Sequence, residues 1–219
     1  MAIVGVCLSG CGFMDGAEIQ ESVITILALD KAGVDIVFMA PDINQRRVVN
    51  HQTSEEVSET RNVLVESARI TRGNVQNIKN INANDLDALI FPGRFGAALN
   101  LSDFALKGAG GNVNTHVEEL IHDMINLKKP IGIICIAPAM MAKAINTLKQ
   151  TAKLTIGNDQ ATAEQIEKLG VSHTECMVQN IVIDSDMRLV STPAYMLGPR
   201  ISDVAVGINK LVQEVVKMM

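Results

Sequence analysis

The order of strands and helices along the chain predicts one doubly wound α/β domain over residues 1–219, with a mostly parallel central sheet. Three observations carry this. Short apolar runs rich in Val and Ile recur along the chain. Segments of helical period separate them. The strands run into five loops of small or turn-forming residues, "SGCGFMDG", "APDINQ", "FPGRFG", "CIAPA" and "STPAYM", where such folds gather their chemistry.

"AIVGVCL" (2–8) reads as a buried strand. "AEIQESVITILALDKAG" then places Ile19, Val23, Ile26, Ala28 and Leu29 near helical spacing, with Gly33 as the stop. "VDIVFMAPD" is a second strand, parallel to the first through a right-handed crossover. Residues 42–72 lose the period and read as an insertion of short strands or loop, with a helix across "TRNVLVESARI". Asn82 or Asn84 caps a short turn before "LDALIF", the third core strand. "GRFGAALNLSDFALKGAGG" is glycine-rich and reads as a long loop. "VNTHVEELIHDMINLKK" is an amphipathic helix with Val113, Val117, Leu120, Ile121 and Met124 on one face. "PIGIIC" is the fourth core strand, and "APAMMAKAINTLK" and "TAEQIEKLG" are helices. "NIVIDSDMRLVST" is a hairpin, and the closing segment from Arg200 is a helix with Ser202 as N-cap.

Composition narrows the function. Apolar residues are 47% of the chain, enough for a sizeable core. Aromatics are 3%, without Trp, so stacking platforms for bases are disfavoured. The net charge of −5 is spread without a basic stripe, which argues against nucleic acid and membrane surfaces as partners. Cys7, Cys11, Cys135 and Cys176 lack metal-ligand spacing, so no metal is expected and free thiols in a reducing, cytoplasmic compartment are.

"IGIICIAPAMMAK" places Cys135 where a strand becomes a helix. A nucleophile on such an elbow needs small neighbours on the helix side, which Ala137 supplies, and often φ above zero. The helix behind it, with Pro138 in its first turn, would aim free N–H groups at the sulfur and favour thiolate. A buried structural cysteine is the alternative. Glu18, in the first turn after the first strand, is the expected proton carrier; a simple helix-terminus charge is the plainer role. Backbone N–H groups around Gly93 and Arg94, with that of Ile136, form the expected oxyanion site. His51 and Asn100 are further candidates.

Together "SGCGFMDGAEIQE", "TRNVLVESARITRG", "LIFPGRFGAALNLSDFA", "CIAPAMMAK" and "STPAYM" resemble the isoprenoid biosynthesis glyoxalase family, also called enhancing lycopene biosynthesis protein. It sits within the superfamily of PfpI-type proteases, the Parkinsonism-associated deglycase and class I glutamine amidotransferase domains. The resemblance implies a flavodoxin-like three-layer sandwich, a nucleophile at Cys135, a nearby Glu18 and a homodimer. It also implies conversion of glyoxal to glycolate without glutathione, metal or other cofactor. Two positions depart from the family pattern: Arg94 replaces the second glycine of "PGGFG", and Leu99 stands where a Lys is common. Arg94 would be strained if that position needs positive φ, and its guanidinium could pair with Glu18 or hold a product carboxylate. The superfamily's histidine base is missing, since Ile136 follows the nucleophile, so amide hydrolysis is disfavoured. The competing functions are a redox sensor or binding protein using the same cysteine, with Cys11 as resolving thiol, and a glutaminase or scaffold subunit.

Overall fold

The computed structural model describes residues 1–198 and 200–219. Seven strands form the sheet: β1 (Ile3–Cys7), β2 (Asp35–Ala40), β3 (Gln76–Asn77), β4 (Ala88–Phe91), β5 (Ile131–Ile134), β6 (Val182–Asp184) and β7 (Leu189–Thr192). Their order is β6-β7-β5-β4-β1-β2-β3. All pairs are parallel except the β6–β7 hairpin. The chain winds outward through β2 and β3, then returns to lay β4 on the other side of β1. That reversal makes the gap between β1 and β4 the switch point of the sheet.

Helices cover both faces. Helix α1 (Ile19–Lys31), α2 (Val63–Ile70) and α8 (Ile201–Met218) lie on one side, where Leu29, Ile208, Leu211 and Val215 pack with Val4, Val6 and Ile90. On the other side α5 (Thr115–Asn126) and α6 (Ala137–Thr147) bury Ile121, Met124, Met141 and Ile145 against Leu89, Phe91 and Ile133. Alternate strand residues therefore feed two apolar layers, as a sheet buried on both faces requires. Each fully buried Leu or Ile contributes roughly 1.5–3 kcal/mol.

The expected strands and hairpin are present with trimmed ends. The insertion holds an antiparallel ribbon, Val49–Asn50 with Glu55–Glu56, before α2, whose N-cap is Asn62. Three expectations are corrected. Residues 93–111 are not a plain loop: they carry α3 (Phe95–Leu99) and α4 (Phe104–Lys107), because Ala97, Ala98, Leu99 and Phe104 find buried sites. Arg200, not Ser202, is the N-cap residue of α8, and no side chain caps it. The inner face of α1 is Glu21, Ser22, Thr25, Ala28 and Leu29, while Ile19 and Val23 stay 44% and 49% exposed. The other helix, α7 (Gln160–Glu167), begins two residues earlier than its pattern, at the cap Asp159.

Candidate functional site

The site forms where four segments meet at the carboxyl ends of β1, β4, β5 and β7. Strand β5 ends at Ile134, and the chain turns sharply so that α6 starts at Ala137. Cys135 occupies that corner at φ 65°, a left-handed conformation that a non-glycine residue adopts only at a cost. Its own N–H is held by Thr192 O at 2.9 Å, which ties the elbow to the end of β7. Pro138 lies in the first turn of α6, where its missing N–H costs nothing. The elbow and the positive φ match the expectation from sequence.

The carboxyl beside the sulfur belongs to Glu21, not Glu18. Glu18 is the N-cap of α1, and its Oε2 accepts from the Glu21 N–H at 2.6 Å. Its charge is thus spent on the helix end. One turn further, the fully buried Glu21 points inward. Gly93 N–H donates to Glu21 Oε2 at 3.0 Å and Tyr195 N–H donates to Oε1 at 3.2 Å. That carboxyl is near enough for its charge to act on the Cys135 thiol. Glycine is required at Gly93, because a Cβ there would overlap Ile134 O and Cys135 Cβ.

This arrangement also corrects the expected oxyanion site. The Gly93 N–H is occupied by Glu21 and cannot serve an oxyanion. The Arg94 N–H faces the sulfur instead. The Ile136 N–H opens α6, where the first amide donors lack intrahelical partners. Arg94 and Ile136 therefore remain the expected donor pair.

The electrostatics differ from the thiolate picture. Burial, then the neighbouring Glu21 charge, pushes the Cys135 thiol well above its ordinary range, outweighing the Arg94 N–H and guanidinium that pull it down. Burial, reinforced by the Glu18 charge, raises the Glu21 carboxyl to about 7. Glu18 is also raised by burial, against the N–H groups of Glu21 and Gln20 and the Arg94 charge. At neutral pH the pair rests as a protonated sulfur beside a carboxyl poised to accept its proton.

Cys135 is 0% exposed. Arg94 and Ile136, the residue after Cys135, form part of the wall of a cavity of about 610 Å³, continued by Ala98, Phe104, Leu106 and Met196. Arg94 sits at φ 68° and ψ −167°, a region that is essentially glycine's alone, so the expected strain is present. Its guanidinium lies 5.3 Å from the centroid of Phe13 and 6.0 Å from that of Phe95.

The remaining candidates lie elsewhere. His51 bonds Val49 O through Nδ1 at 3.0 Å and approaches Asp15 and Phe13, so it braces the 8–17 loop. Asn100 is spent on backbone: its Nδ2 donates to Ser9 O and Asp15 O, and its Oδ1 accepts from Arg46 N. Leu99 is buried in α3. Cys11 is half-buried and is influenced by Glu66, Arg69 and Asp15 rather than by Cys135, and the four cysteines are free. No cluster of metal-binding side chains exists among the described residues, and none of their helices is long and apolar enough to cross a membrane.

Reading the residues alone missed Glu21 and the Tyr195 amide. The signal was "EIQE": a Glu immediately before the first helical residue takes the N-cap position, which leaves the Glu three residues on to face inward. No protein-family profile matches the chain. It is 38% identical over 227 residues to a protein named ES1 protein homolog, mitochondrial, from Rattus norvegicus, covering 99% of this chain and 84% of that one. It also superposes on the crystal structure of an isoprenoid biosynthesis protein with amidotransferase-like domain from Ehrlichia chaffeensis. The TM-score is 0.92 at 36% identity, covering 99% of this chain and 100% of that one. Glyoxalase III from Candida albicans shares the fold, with a TM-score of 0.64 at 14% identity over 100% of this chain and 97% of that one.

Proposed function

Because the chain belongs to the family of the ES1 protein homologue and the isoprenoid biosynthesis protein with amidotransferase-like domain, we propose that it is a glyoxalase-type enzyme. It converts glyoxal and related small dicarbonyls to 2-hydroxy acids, without a cofactor, through Cys135. The observation that carries this reading is the placement of the buried Glu21 carboxyl, held by the Gly93 and Tyr195 N–H groups, beside the positive-φ elbow of Cys135, on whose thiol its charge acts. A carboxyl raised to about 7 is matched to proton transfer at neutral pH.

The chemistry follows from that pair. Glu21 takes the thiol proton as sulfur adds to one aldehyde carbon. The oxygen of that carbon becomes an oxyanion facing the Arg94 and Ile136 N–H groups, and Glu21 returns the proton to give the hemithioacetal. Glu21 then removes the C–H proton of the same carbon, and the resulting enediol is reprotonated on the second carbon. One carbon is thereby oxidised to a thioester while its neighbour is reduced to an alcohol. Water cleaves the C–S bond, releasing glycolate and restoring the thiol. One water is consumed, and no external oxidant or reductant is needed. No leaving amine has to be protonated, so a carboxyl suffices where amide hydrolysis would call for a histidine. For substrate to reach the buried sulfur, the side chains around it must part.

Incubation with glyoxal, followed by proton NMR, should show glycolate with the native chain and none with Cys135→Ala. Equal conversion by that variant removes the proposal. The sealed, protonated sulfur favours a second reading, a non-catalytic binding role in which Cys135 is a buried structural thiol. A thiol inert to peroxide, together with no aldehyde turnover, would establish that reading instead.

A further inference from the structure

We propose that Arg94 determines substrate specificity: its guanidinium receives a carboxylate at the far end of a 2-oxoaldehyde whose apolar body fills the cavity beside Cys135. This rests on the aldehyde chemistry above and adds the class of substrate.

Three observations lead there. First, Arg94 holds a backbone conformation that a glycine adopts freely and any other residue only under strain. A side chain retained at that cost has to be useful there. Second, the guanidinium is positioned but unpaired. Phe13 and Phe95 present their rings to it. Among the described residues Arg94 makes no ion pair, whereas Arg61 and Arg69 both pair with Glu66. The acid that responds to its charge, Glu18, already accepts the Glu21 N–H.

Third, the cavity is larger than a two-carbon substrate needs. At about 610 Å³ it lies within the range of ~300–1,000 Å³ usual for small-molecule sites. Its wall is mostly apolar, through Ala98, Phe104, Leu106 and Met196. The carboxylate on that wall, Asp159, caps α7 by accepting from Thr162 N at 2.8 Å. A planar cation on the wall of an apolar chamber suits a carbonyl compound with a short hydrocarbon body and one carboxylate.

The test compares 4,5-dioxopentanoate with 2-oxopentanal, which share a carbon skeleton and differ in the terminal carboxylate. The native chain should favour the acid in kcat/KM by about ten- to a hundredfold, the worth of one charge-assisted contact. Arg94→Gly keeps the backbone N–H and should bring the ratio close to one, while Arg94→Lys should restore part of the preference. A ratio near one in the native chain, or a ratio unchanged in Arg94→Gly, overturns the proposal. Binding to Cys135→Ala separates this from the catalytic reading. Calorimetry there should show 2-hydroxyglutarate binding more tightly than 2-hydroxypentanoate, and the preference should vanish when Arg94→Gly is added. Equal binding of the two acids overturns the anion site even if aldehydes are turned over. An Arg94-dependent preference without any turnover would leave the anion site standing and sink the glyoxalase reading alone.

Discussion

Glu18 and Glu21 are separated by less than one helical turn, yet the structure gives them different work. Glu18 satisfies an amide at the start of α1, and Glu21 meets a thiol. The distinction is measurable. Glu21→Gln should lower kcat with glyoxal by about 10²–10⁴, the usual contribution of a positioned acid–base group. Glu18→Ala should cost about 1 kcal/mol in urea unfolding through the lost cap and leave most of the activity. Reversed outcomes would return the proton-carrier role to Glu18. The native pH–rate profile should rise through about 7 as Glu21 ionises, and that limb should disappear in Glu21→Gln. Sequence could place Cys135 at a strand-to-helix corner, because an apolar run of β-branched residues passes there directly into Ala-Pro. It could not place the acid by proximity in the chain, because one helical residue rotates a side chain by about 100°.

The helices and loops show where pattern succeeds. The helix over residues 115–126 could be read from its 3.6-residue period, and the four core strands from their continuous apolar runs. Two elements were misread for a physical reason. Helix α3 is short, closely follows Gly93 and contains Gly96, so its local signal is that of a loop, and it exists because its apolar residues are buried. Helix α1 turns Glu21, Ser22 and Thr25 inward, since the sheet's switch point needs polar groups, and leaves Ile19 and Val23 outside. The turn after β4 is held equally tightly, with Gly93 pressed on the end of β5. Gly93→Ala should therefore destabilise the chain by about 1–3 kcal/mol, as overpacking does, and disturb the Glu21 carboxyl it supports. An unchanged urea midpoint would contradict the close approach.

Across the domain, the mostly parallel sheet was implied by alternating strands and helices, whereas the sealing of the sulfur was not. Burial of one atom depends on residues from four segments meeting, which no local pattern records. That burial reaches the stability of the fold. Glu21 has an ordinary carboxyl value of 4.5 and is raised to about 7 when folded. The folded chain therefore holds a proton that the unfolded chain has released between these values. Linkage then makes this contribution complete below pH 4.5 and lost as pH rises through about 7, a fall of about 3 kcal/mol. Glu21→Gln should flatten that part of the stability–pH curve; an identical slope in the two chains would show that the carboxyl is not raised.

The Arg94 and Ile136 side chains stand on the wall of the chamber, while the hydrogen-bond donors expected to face an oxyanion are the amides of those same two residues. Wall and frame are different atoms of one pair. Rotamer changes can therefore reshape the chamber without moving the frame, and trimming the wall, as in Ile136→Ala, widens the chamber while the amide stays in place.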